Sequence, residues 1–324
     1  MSTITYGRIV QFLHEIGWAP RYRSGFWLLC AACALTLACG QSVPPAAPPT
    51  PATREVVDDI GRRVQVAARP ERIVSLAPNI TEILFAIGAG DRIVATTSFC
   101  TFPPEAANTT KVGDTQRPDV ERILALKPDL VLVSTASQLE SISERLGALG
   151  VPTVVTTAKG VDGVLSSIER IGVATGDAEA ATALAGKLRQ RIEAVRAAVA
   201  GKPAPKVFAI VGNEPLFTTG KGTFLDDLIR LAGGASITAD ETTEWPQYSA
   251  EAVIARAPDV MVVPSVTHGF AATDSGVPAS IAATPAVLNN RIIRIDGDLL
   301  MRPGPRLVDG LEQLAKALHP EAFR

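Results

Sequence analysis

One segment, Glu121-Arg-Ile-Leu-Ala-Leu-Lys-Pro-Asp-Leu-Val-Leu-Val133, returns later in the chain as Glu251-Ala-Val-Ile-Ala-Arg-Ala-Pro-Asp-Val-Met-Val-Val263. In each copy a short amphipathic helix ends at a proline, and an apolar strand follows it. A strand without polar alternation is typical of a parallel sheet with both faces covered. The repeat therefore predicts an internal duplication, with two similar α/β lobes and a ligand cleft between them.

Alternating helix and strand patterns extend each copy of the repeat into a lobe. In the first lobe, placed at residues 54–160, apolar runs predict strands at residues 72–76, 92–96, 130–134 and 152–156. In the second lobe, placed at residues 202–324, they predict strands at residues 206–211, 260–264 and 291–295. Helical patterns separate the strands, which is the spacing of βαβ units and predicts a largely parallel sheet in each lobe.

A helical linker joins the two lobes. It covers residues 161–201, and within it apolar residues recur at steps of three and four between residues 177 and 200. This spacing predicts one amphipathic helix. At the rise of an α-helix it would be about 35 Å long, which is enough to cross from one lobe to the other. The expected fold class is therefore α/β, with two central sheets joined by one long helix.

The N-terminus carries export signals. Arg21 and Arg23 precede the apolar run 26–37, which is shorter than the roughly 20 residues that span a bilayer as a helix. We therefore predict a signal peptide at residues 1–38, although its unusual length leaves the true start codon open. Leu35-Thr-Leu-Ala-Cys39 resembles a bacterial lipobox, which would lipidate Cys39. The alternative is an ordinary signal peptide that contains cysteines.

The segment after Cys39 is a tether. Residues 39–53 are rich in proline and poor in large apolar side chains, so they predict a semi-rigid, extended spacer. Together with the lipobox, the tether predicts an exported protein, lipid-anchored on the outer side of the cytoplasmic membrane or in the periplasm. Which membrane carries the lipid is left open.

Composition and motifs argue against several classes of function. A formal net charge of −2 gives no basic surface for nucleic acid. The chain lacks the Gly-x-Ser-x-Gly, His-Glu-x-x-His and Gly-x-Gly-x-x-Gly patterns, and we predict neither a metal site nor a cofactor. Past Cys39 only Cys100 remains, so a two-lobed metal-dependent or hydrolytic enzyme would lack the cluster of groups it needs. We expect a binding protein and no catalytic residues.

Six segments, considered together, carry a resemblance to a known family. They are Arg72-Ile-Val-Ser-Leu-Ala-Pro-Asn-Ile-Thr-Glu82, Phe102-Pro-Pro-Glu-Ala106, Leu124-Ala-Leu-Lys-Pro-Asp-Leu-Val131, Pro215-Leu-Phe-Thr-Thr-Gly220, Trp245-Pro-Gln-Tyr-Ser249 and Arg302-Pro-Gly-Pro-Arg306. Over residues 54–320 the chain resembles the helical-backbone substrate-binding proteins of ABC importers. The vitamin B12 binders are the most similar branch, and ferric siderophore and haem binders are their relatives.

The resemblance implies capture of a ligand without chemistry. A lipid-anchored monomer would bind a small molecule in the cleft, dock on a membrane permease dimer and release its ligand, while separate subunits hydrolyse ATP. The leading ligand is cobalamin or another corrinoid. The alternative is a ferric siderophore or haem. The exact ligand, its affinity and the extent of lobe closure are left open.

The resemblance also implies which residues contact the ligand. These are Pro78, Phe99, Thr115, Phe217, Trp245, Asp298 and Arg302. The aromatic side chains would pack on a broad, flat ligand, while Asp298 and Arg302 would make polar contacts. From the residues alone, Phe217 could instead be ordinary core, and Asp298 and Arg302 could be an exposed ion pair, which contributes little stability. At Thr115 the vitamin B12 binders of the family can have a tryptophan.

A second functional surface implied by the resemblance docks on the permease. In the family one glutamate on each lobe meets permease arginines, and Glu82 stands at the first-lobe position. A local alternative is a capping box with Asn79, in which Glu82 satisfies a backbone N–H at the start of its helix. In the second lobe Arg230 stands where the glutamate is expected, so we expect Asp226 or Asp227 to substitute.

Overall fold

A computed structural model describes residues 52–135, 140–265 and 276–324. The predicted signal peptide (residues 1–38), the lipidation site Cys39 and nearly all of the tether (residues 39–53) lie outside the described residues. Both sheets belong to one compact unit, Pro51–Arg324.

The first lobe is built on five parallel strands. An antiparallel hairpin precedes them, formed by β1 (Thr53–Val57) and β2 (Arg63–Ala67). The parallel strands are β3 (Ile73–Ser75), β4 (Ile93–Thr96), β5 (Thr110–Lys111), β6 (Leu130–Ser134) and β7 (Thr153–Thr156). Their order is β5-β4-β3-β6-β7, so β3 lies at the centre. Every residue of β6 and β7 is buried, as continuous apolar runs predict.

Five helices accompany and follow this sheet. They are α1 (Pro78–Ala86), α2 (Val120–Ala125), α3 (Glu140–Ala148), α4 (Gly160–Thr175) and α5 (Ala178–Val199). The predicted long helix is α5. A separate helix, α4, precedes it because Gly176 takes a left-handed φ of 85° and ends α4 there. A Cβ on Gly176 would lie 2.7 Å from the Ala68 carbonyl oxygen, so glycine suits this break.

The second lobe repeats the plan with fewer strands. Its parallel strands are β8 (Lys206–Ala209), β11 (Ala235–Ser236), β12 (Val260–Pro264) and β13 (Ile292–Ile295), in the order β11-β8-β12-β13. A hairpin of β9 (Gly212–Asn213) and β10 (Leu216–Phe217) follows β8. The helices are α6 (Phe224–Leu231), α7 (Ala250–Arg256), α8 (Pro285–Leu288), α9 (Gly297–Met301) and α10 (Leu307–Leu318).

The two quoted copies of the repeat occupy equivalent places. One forms α2 and β6, which pairs with the central strand β3, and the other forms α7 and β12, which pairs with β8. The residues before the two prolines, Lys127 and Ala257, share a left-handed backbone with φ of 47° and 46°. The predicted fold of two similar α/β lobes joined by a long helix is confirmed.

The apolar core is continuous between the lobes. One cluster of buried side chains includes Leu132 of the first sheet, Val262 of the second sheet, and Leu188 and Ile192 of α5. The long helix therefore belongs to the same apolar core as both sheets. None of the helices in the described part of the chain combines the length and hydrophobicity that a membrane span requires.

Candidate functional site

The site lies where loops from the carboxyl ends of the two sheets meet. The segment that follows β4 carries Phe99 and Thr101, and the segment that follows β13 leads through α9 to Arg302. Nη2 of Arg302 donates to the Phe99 carbonyl oxygen at 3.4 Å and to the Thr101 hydroxyl at 3.5 Å. Open α/β sheets usually bind ligands at this end of their strands.

Arg302 and Asp298 form a buried ion pair beside this junction. Only 6% of Arg302 and 8% of Asp298 are exposed, and Nη2 of Arg302 lies 3.1 Å from Oδ2 of Asp298. The alternative of an exposed surface pair is wrong because the preceding helix α9 is buried along its whole length. The short helix places the two side chains one turn apart, so they face the same direction.

Glu82 of α1 joins this pair from the first lobe. Glu82 is 3% exposed, and its carboxylate accepts two hydrogen bonds from Arg306, from Nε to Oε2 at 2.9 Å and from Nη2 to Oε1 at 2.6 Å. Nη1 of Arg302 donates to the same Oε1 at 3.3 Å. We call Glu82, Arg302 and Arg306 the interlobe clasp. It ties the first helix of the first lobe to the segment that begins α10.

The clasp corrects one interpretation of Glu82. Because Pro78 fixes the first turn, α1 begins at Pro78 with Ala77 as N-cap, and no side chain caps it. Asn79 is therefore inside the helix, where its Nδ2 donates to the Pro303 carbonyl oxygen at 3.5 Å. The proposed capping box with Glu82 does not form.

Arg306 is held from two sides. Its guanidinium carbon lies 3.8 Å from the centroid of the Phe102 ring, which is a close cation–π contact. Burial opposes the charge, but hydrogen bonding to Glu82 and the negative charges of Glu82, Asp298 and Asp296 prevail and raise the pKa of Arg306. Arg306 therefore stays a cation in this half-buried position.

The predicted aromatic contacts fall in both lobes. Phe99 is half-buried beside Arg302. In the second lobe Phe217 and Trp245 are also half-buried, and the segments that carry them are linked by a hydrogen bond from Thr218 N to the Pro246 carbonyl oxygen at 3.1 Å. The Trp245 ring packs against Phe224, with 5.6 Å between ring centroids. These aromatic residues border the loops at the sheet ends.

Pro78 and Thr115 lie in the first lobe and are half-buried. Pro78 opens α1, while Thr115 sits in a turn closed by a bridge between Gly113 and Pro118. The amide of Ser98 donates to the Gly113 carbonyl oxygen at 2.9 Å, which fixes this turn beside the Phe99 segment. The structure thus places Thr115 next to the loop that carries Phe99.

The two second-lobe acids predicted for docking have internal partners. Oδ2 of Asp227 accepts from the Val161 amide at 2.9 Å at the start of α4, and Oδ1 accepts from Arg230 at 2.6 Å. Asp226 is buried, and this burial raises its pKa. Neither acid presents a free carboxylate to the outside, and the same holds for Glu82 in the clasp.

Sequence reasoning missed Arg306 as a functional residue. Arg306 ends the quoted motif that begins with Arg302, but only Arg302 was assigned a role from it. A search for a cation to balance Glu82 would have pointed to this motif. The partners are 224 positions apart, so no local pattern joins them.

The fold and the site define a class of two-lobed binding proteins whose polar groups meet at the ends of two sheets. Among the residues that the structure describes, no three His, Cys, Asp or Glu side chains are grouped so that they could hold a metal ion. The chain belongs to the periplasmic binding protein family, whose pattern matches residues 73–299. Members of this family bind substrates for transporters and are not enzymes.

Individual members of this family are similar over most of the chain. An uncharacterized ABC transporter substrate-binding lipoprotein of Bacillus subtilis, YvrC, is 33% identical over 315 residues, covering 93% of this chain and 99% of its own. The periplasmic vitamin B12 binding protein BtuF of Vibrio cholerae superposes with a TM-score of 0.69 at 31% identity, covering 79% of this chain and 98% of its own. The periplasmic haem-binding protein RhuT of Roseiflexus sp. RS-1 superposes with a TM-score of 0.69 at 31% identity, covering 78% of this chain and 99% of its own. The family inferred from the six motifs is confirmed.

Proposed function

We propose that this chain is the substrate-binding lipoprotein of an ABC importer and that it captures cobalamin or a related corrinoid. The bound ligand would be delivered to a permease dimer that is powered by separate ATPase subunits. Similarity to a substrate-binding lipoprotein and to a vitamin B12 binding protein supports this proposal. Lipid attachment at Cys39 would keep the protein near its permease.

The charge balance of the site is the observation that carries the choice of ligand. Two cations, Arg302 and Arg306, lie against two carboxylates, Glu82 and Asp298. A site balanced in this way offers no excess positive charge to an anionic siderophore or to haem propionates. The periphery of a corrin ring is mostly neutral amides, which can both donate to carboxylates and accept from guanidinium groups. The geometry therefore favours a corrinoid.

The aromatic residues support a broad, flat ligand. Phe99 belongs to the first lobe, and Phe217 and Trp245 belong to the second. Half-buried rings keep part of their faces available, and such faces gain free energy by covering an apolar macrocycle. We propose Pro78, Phe99, Thr115, Phe217 and Trp245 as packing contacts, with Asp298 and Arg302 as polar contacts.

A ferric siderophore or haem is the alternative ligand, and similarity to RhuT supports it. Tyr248 is the candidate ligand for haem iron. Its ring packs at 6.1 Å from Phe208 and lies under the guanidinium of Arg256 at 5.8 Å. Burial raises the pKa of Tyr248, which disfavours the phenolate that would bind iron. The corrinoid is therefore preferred.

Delivery requires a docking surface for the permease. Glu82, Asp226 and Asp227 remain our proposed docking residues because of their positions in the family motifs. Each carboxylate is engaged inside the protein, so docking through any of them would require an exchange of partners. Uptake by membranes that contain the permease tests this role when Glu82→Ala is compared with the unmodified chain at a ligand concentration that saturates both proteins. Unchanged uptake would reject docking through Glu82.

The proposed ligand is tested by calorimetric titration of the compact unit Pro51–Arg324 in metal-free buffer. Cyanocobalamin, haemin and a ferric hydroxamate are titrated in parallel. We expect cyanocobalamin to bind with a Kd of about 10 nM, or about −11 kcal/mol. Tight binding of haemin or the ferric hydroxamate, together with no binding of cyanocobalamin, would reject the corrinoid and support the alternative ligand.

Two variants show whether binding uses the proposed cleft. Trp245→Ala removes an aromatic face and should weaken binding about tenfold or more. Tyr248→Phe keeps the ring that packs on Phe208 and should leave the affinity of a corrinoid unchanged. With haemin as the ligand, a larger loss of affinity in Tyr248→Phe than in Trp245→Ala would point to iron ligation by Tyr248.

A further inference from the structure

The interlobe clasp contains more than a ligand contact or a docking carboxylate requires. Glu82 is almost completely buried and meets two arginines that come from the other end of the chain. If Glu82 served only to dock on the permease, its contact with Arg306 would not be needed. If Arg302 served only to contact the ligand, its contact with Glu82 would not be needed.

The distances within the clasp assign different roles to the two arginines. Arg306 grips both oxygens of Glu82 at 2.6 and 2.9 Å, in the fork geometry that is strong and directional. Arg302 reaches Oε1 only at 3.3 Å, and it contacts Asp298, Phe99 O and Thr101 at 3.1, 3.4 and 3.5 Å. Arg306 therefore holds the Glu82 carboxylate more closely than Arg302 does.

Stability alone is a weak explanation for this arrangement. A buried ion pair loses hydration when it forms and often contributes little more than apolar side chains of the same size would. One of the two second-lobe acids proposed for docking, Asp227, reaches α4 and accepts from the backbone amide of Val161. Asp227 thus caps the start of α4, whereas Glu82 contacts the side chain of Arg302 at the junction of the two sheets.

We propose that Glu82 is a positioning residue, which holds the guanidinium of Arg302 toward the cleft while Arg306 anchors the carboxylate. The inference rests on the proposed function, because it deepens the role of Arg302 as a ligand contact. It also makes ligand affinity depend on a contact between the lobes. Asp298 and the Phe99 and Thr101 oxygens also contact Arg302.

A double-mutant cycle on cyanocobalamin affinity tests the proposal. In the full chain, Glu82→Gln should weaken binding about tenfold, because the amide keeps the shape of the carboxylate but loses its charge. The same change in an Arg302→Lys background should alter the Kd less than about twofold, since Glu82 would act through Arg302. An unchanged Kd for Glu82→Gln alone, or equal effects in both backgrounds, would overturn the proposal.

Asp177→Asn is the matched control, because it removes the charge of a carboxylate that also pairs with a buried arginine, Arg92. It should leave the cyanocobalamin Kd unchanged. An equal loss of affinity in Glu82→Gln and Asp177→Asn would show a general effect on the fold and would overturn the specific role of Glu82.

A second measurement needs no ligand and separates this inference from the proposed function. Arginines are modified with p-hydroxyphenylglyoxal and quantified by peptide mass spectrometry. Arg302 should react several-fold faster in Glu82→Gln, whereas Arg92, which is buried against Asp177, should not change. Equal protection of Arg302 in both proteins overturns the positioning role. Failure of the unmodified chain to bind cyanocobalamin, haemin or the hydroxamate would reject the proposed function alone.

Discussion

The aspartate that follows each proline of the repeat has an equivalent role in the two lobes. In the first copy Asp129 accepts from the Glu71 and Arg72 amides at 2.8 and 2.9 Å. In the second copy Asp259 accepts from the Lys206 amide at 2.8 Å. The aspartate after each proline therefore fixes the entry into the central strand of its sheet, and it does so with one more hydrogen bond in the first lobe.

This difference predicts unequal losses of stability. Asp129→Ala removes two hydrogen bonds and should lower the free energy of unfolding by about 2 kcal/mol, whereas Asp259→Ala removes one and should lower it by about 1 kcal/mol. Urea unfolding of both variants measures the two values. Glu251→Ala, an exposed change on α7, is the control and should stay within about 0.5 kcal/mol of the unmodified chain. Equal losses at both aspartates would contradict the prediction.

Asp226 predicts a dependence on pH with a definite sign. Burial raises its pKa above the ordinary 3.8, so the folded protein binds this proton more tightly than the unfolded chain does. Its stabilising contribution is present below the unfolded pKa and is lost as pH rises through the folded pKa. The variant Asp226→Asn should therefore gain stability relative to the unmodified chain as pH rises from about 3 to about 7.

The control for this prediction is Asp240, whose pKa is lowered by a hydrogen bond from Arg256. Its contribution is present above the unfolded pKa and is lost as pH falls. Asp240→Asn should therefore lose stability relative to the unmodified chain over the same rise in pH. Urea unfolding at each pH compares the two variants, and slopes of the same sign would contradict the assignment of Asp226.

At the scale of elements, two glycines with positive φ separate backbone strain from a contact at the start of α4. Gly160 is the first residue of α4, and Gly222 precedes α6. Gly160 has a φ of 65°, and a Cβ there would lie 2.6 Å from Oδ2 of Asp227. Gly222 has a φ of 82° but open space around it. Gly222→Ala should lower the free energy of unfolding by about 1 kcal/mol for backbone strain alone. Gly160→Ala should lower the free energy of unfolding clearly more than Gly222→Ala does, because it also displaces Asp227, which accepts from the Val161 amide at the start of α4. Equal losses in urea unfolding would show that this contact contributes nothing.

Elements with strong periodicity could be predicted, and very short ones could not. The predicted strands at residues 130–134 and 260–264 coincide with β6 and β12, and the long helix lies within one residue of α5 at each end. Strands of two residues, such as β5 and β11, are too short to show a period. They exist because a neighbouring strand pairs with them, which is a tertiary effect.

The site was predictable only in part, for a similar reason. Family motifs pointed to Arg302 and Asp298, which the structure places together at the ends of the sheets. Glu82 was interpreted from its local surroundings and its family position. Its contact with Arg306 depends on how the two lobes meet, and no window of sequence contains both residues.

At the scale of the whole molecule, the continuous core implies that the two lobes unfold together. Buried side chains of both sheets and of α5 belong to one cluster, so opening either lobe would expose apolar surface of the other. The chain offers a separate probe for each lobe. In a protein that begins at residue 52, Cys100 is the only cysteine and Trp245 is the only tryptophan.

These probes allow a direct test of cooperativity. Cys100 is buried in the first lobe and should react with a thiol reagent only after unfolding, while the fluorescence of Trp245 reports on the second lobe. We expect both signals to change at the same urea midpoint, because coincident transitions are the mark of two-state unfolding. Leu132→Ala should create a cavity in the first sheet at a cost of about 2–5 kcal/mol. If the core joins the lobes, this change will lower the Trp245 midpoint as much as the Cys100 midpoint, whereas a shift of the Cys100 signal alone would mean that the lobes unfold independently.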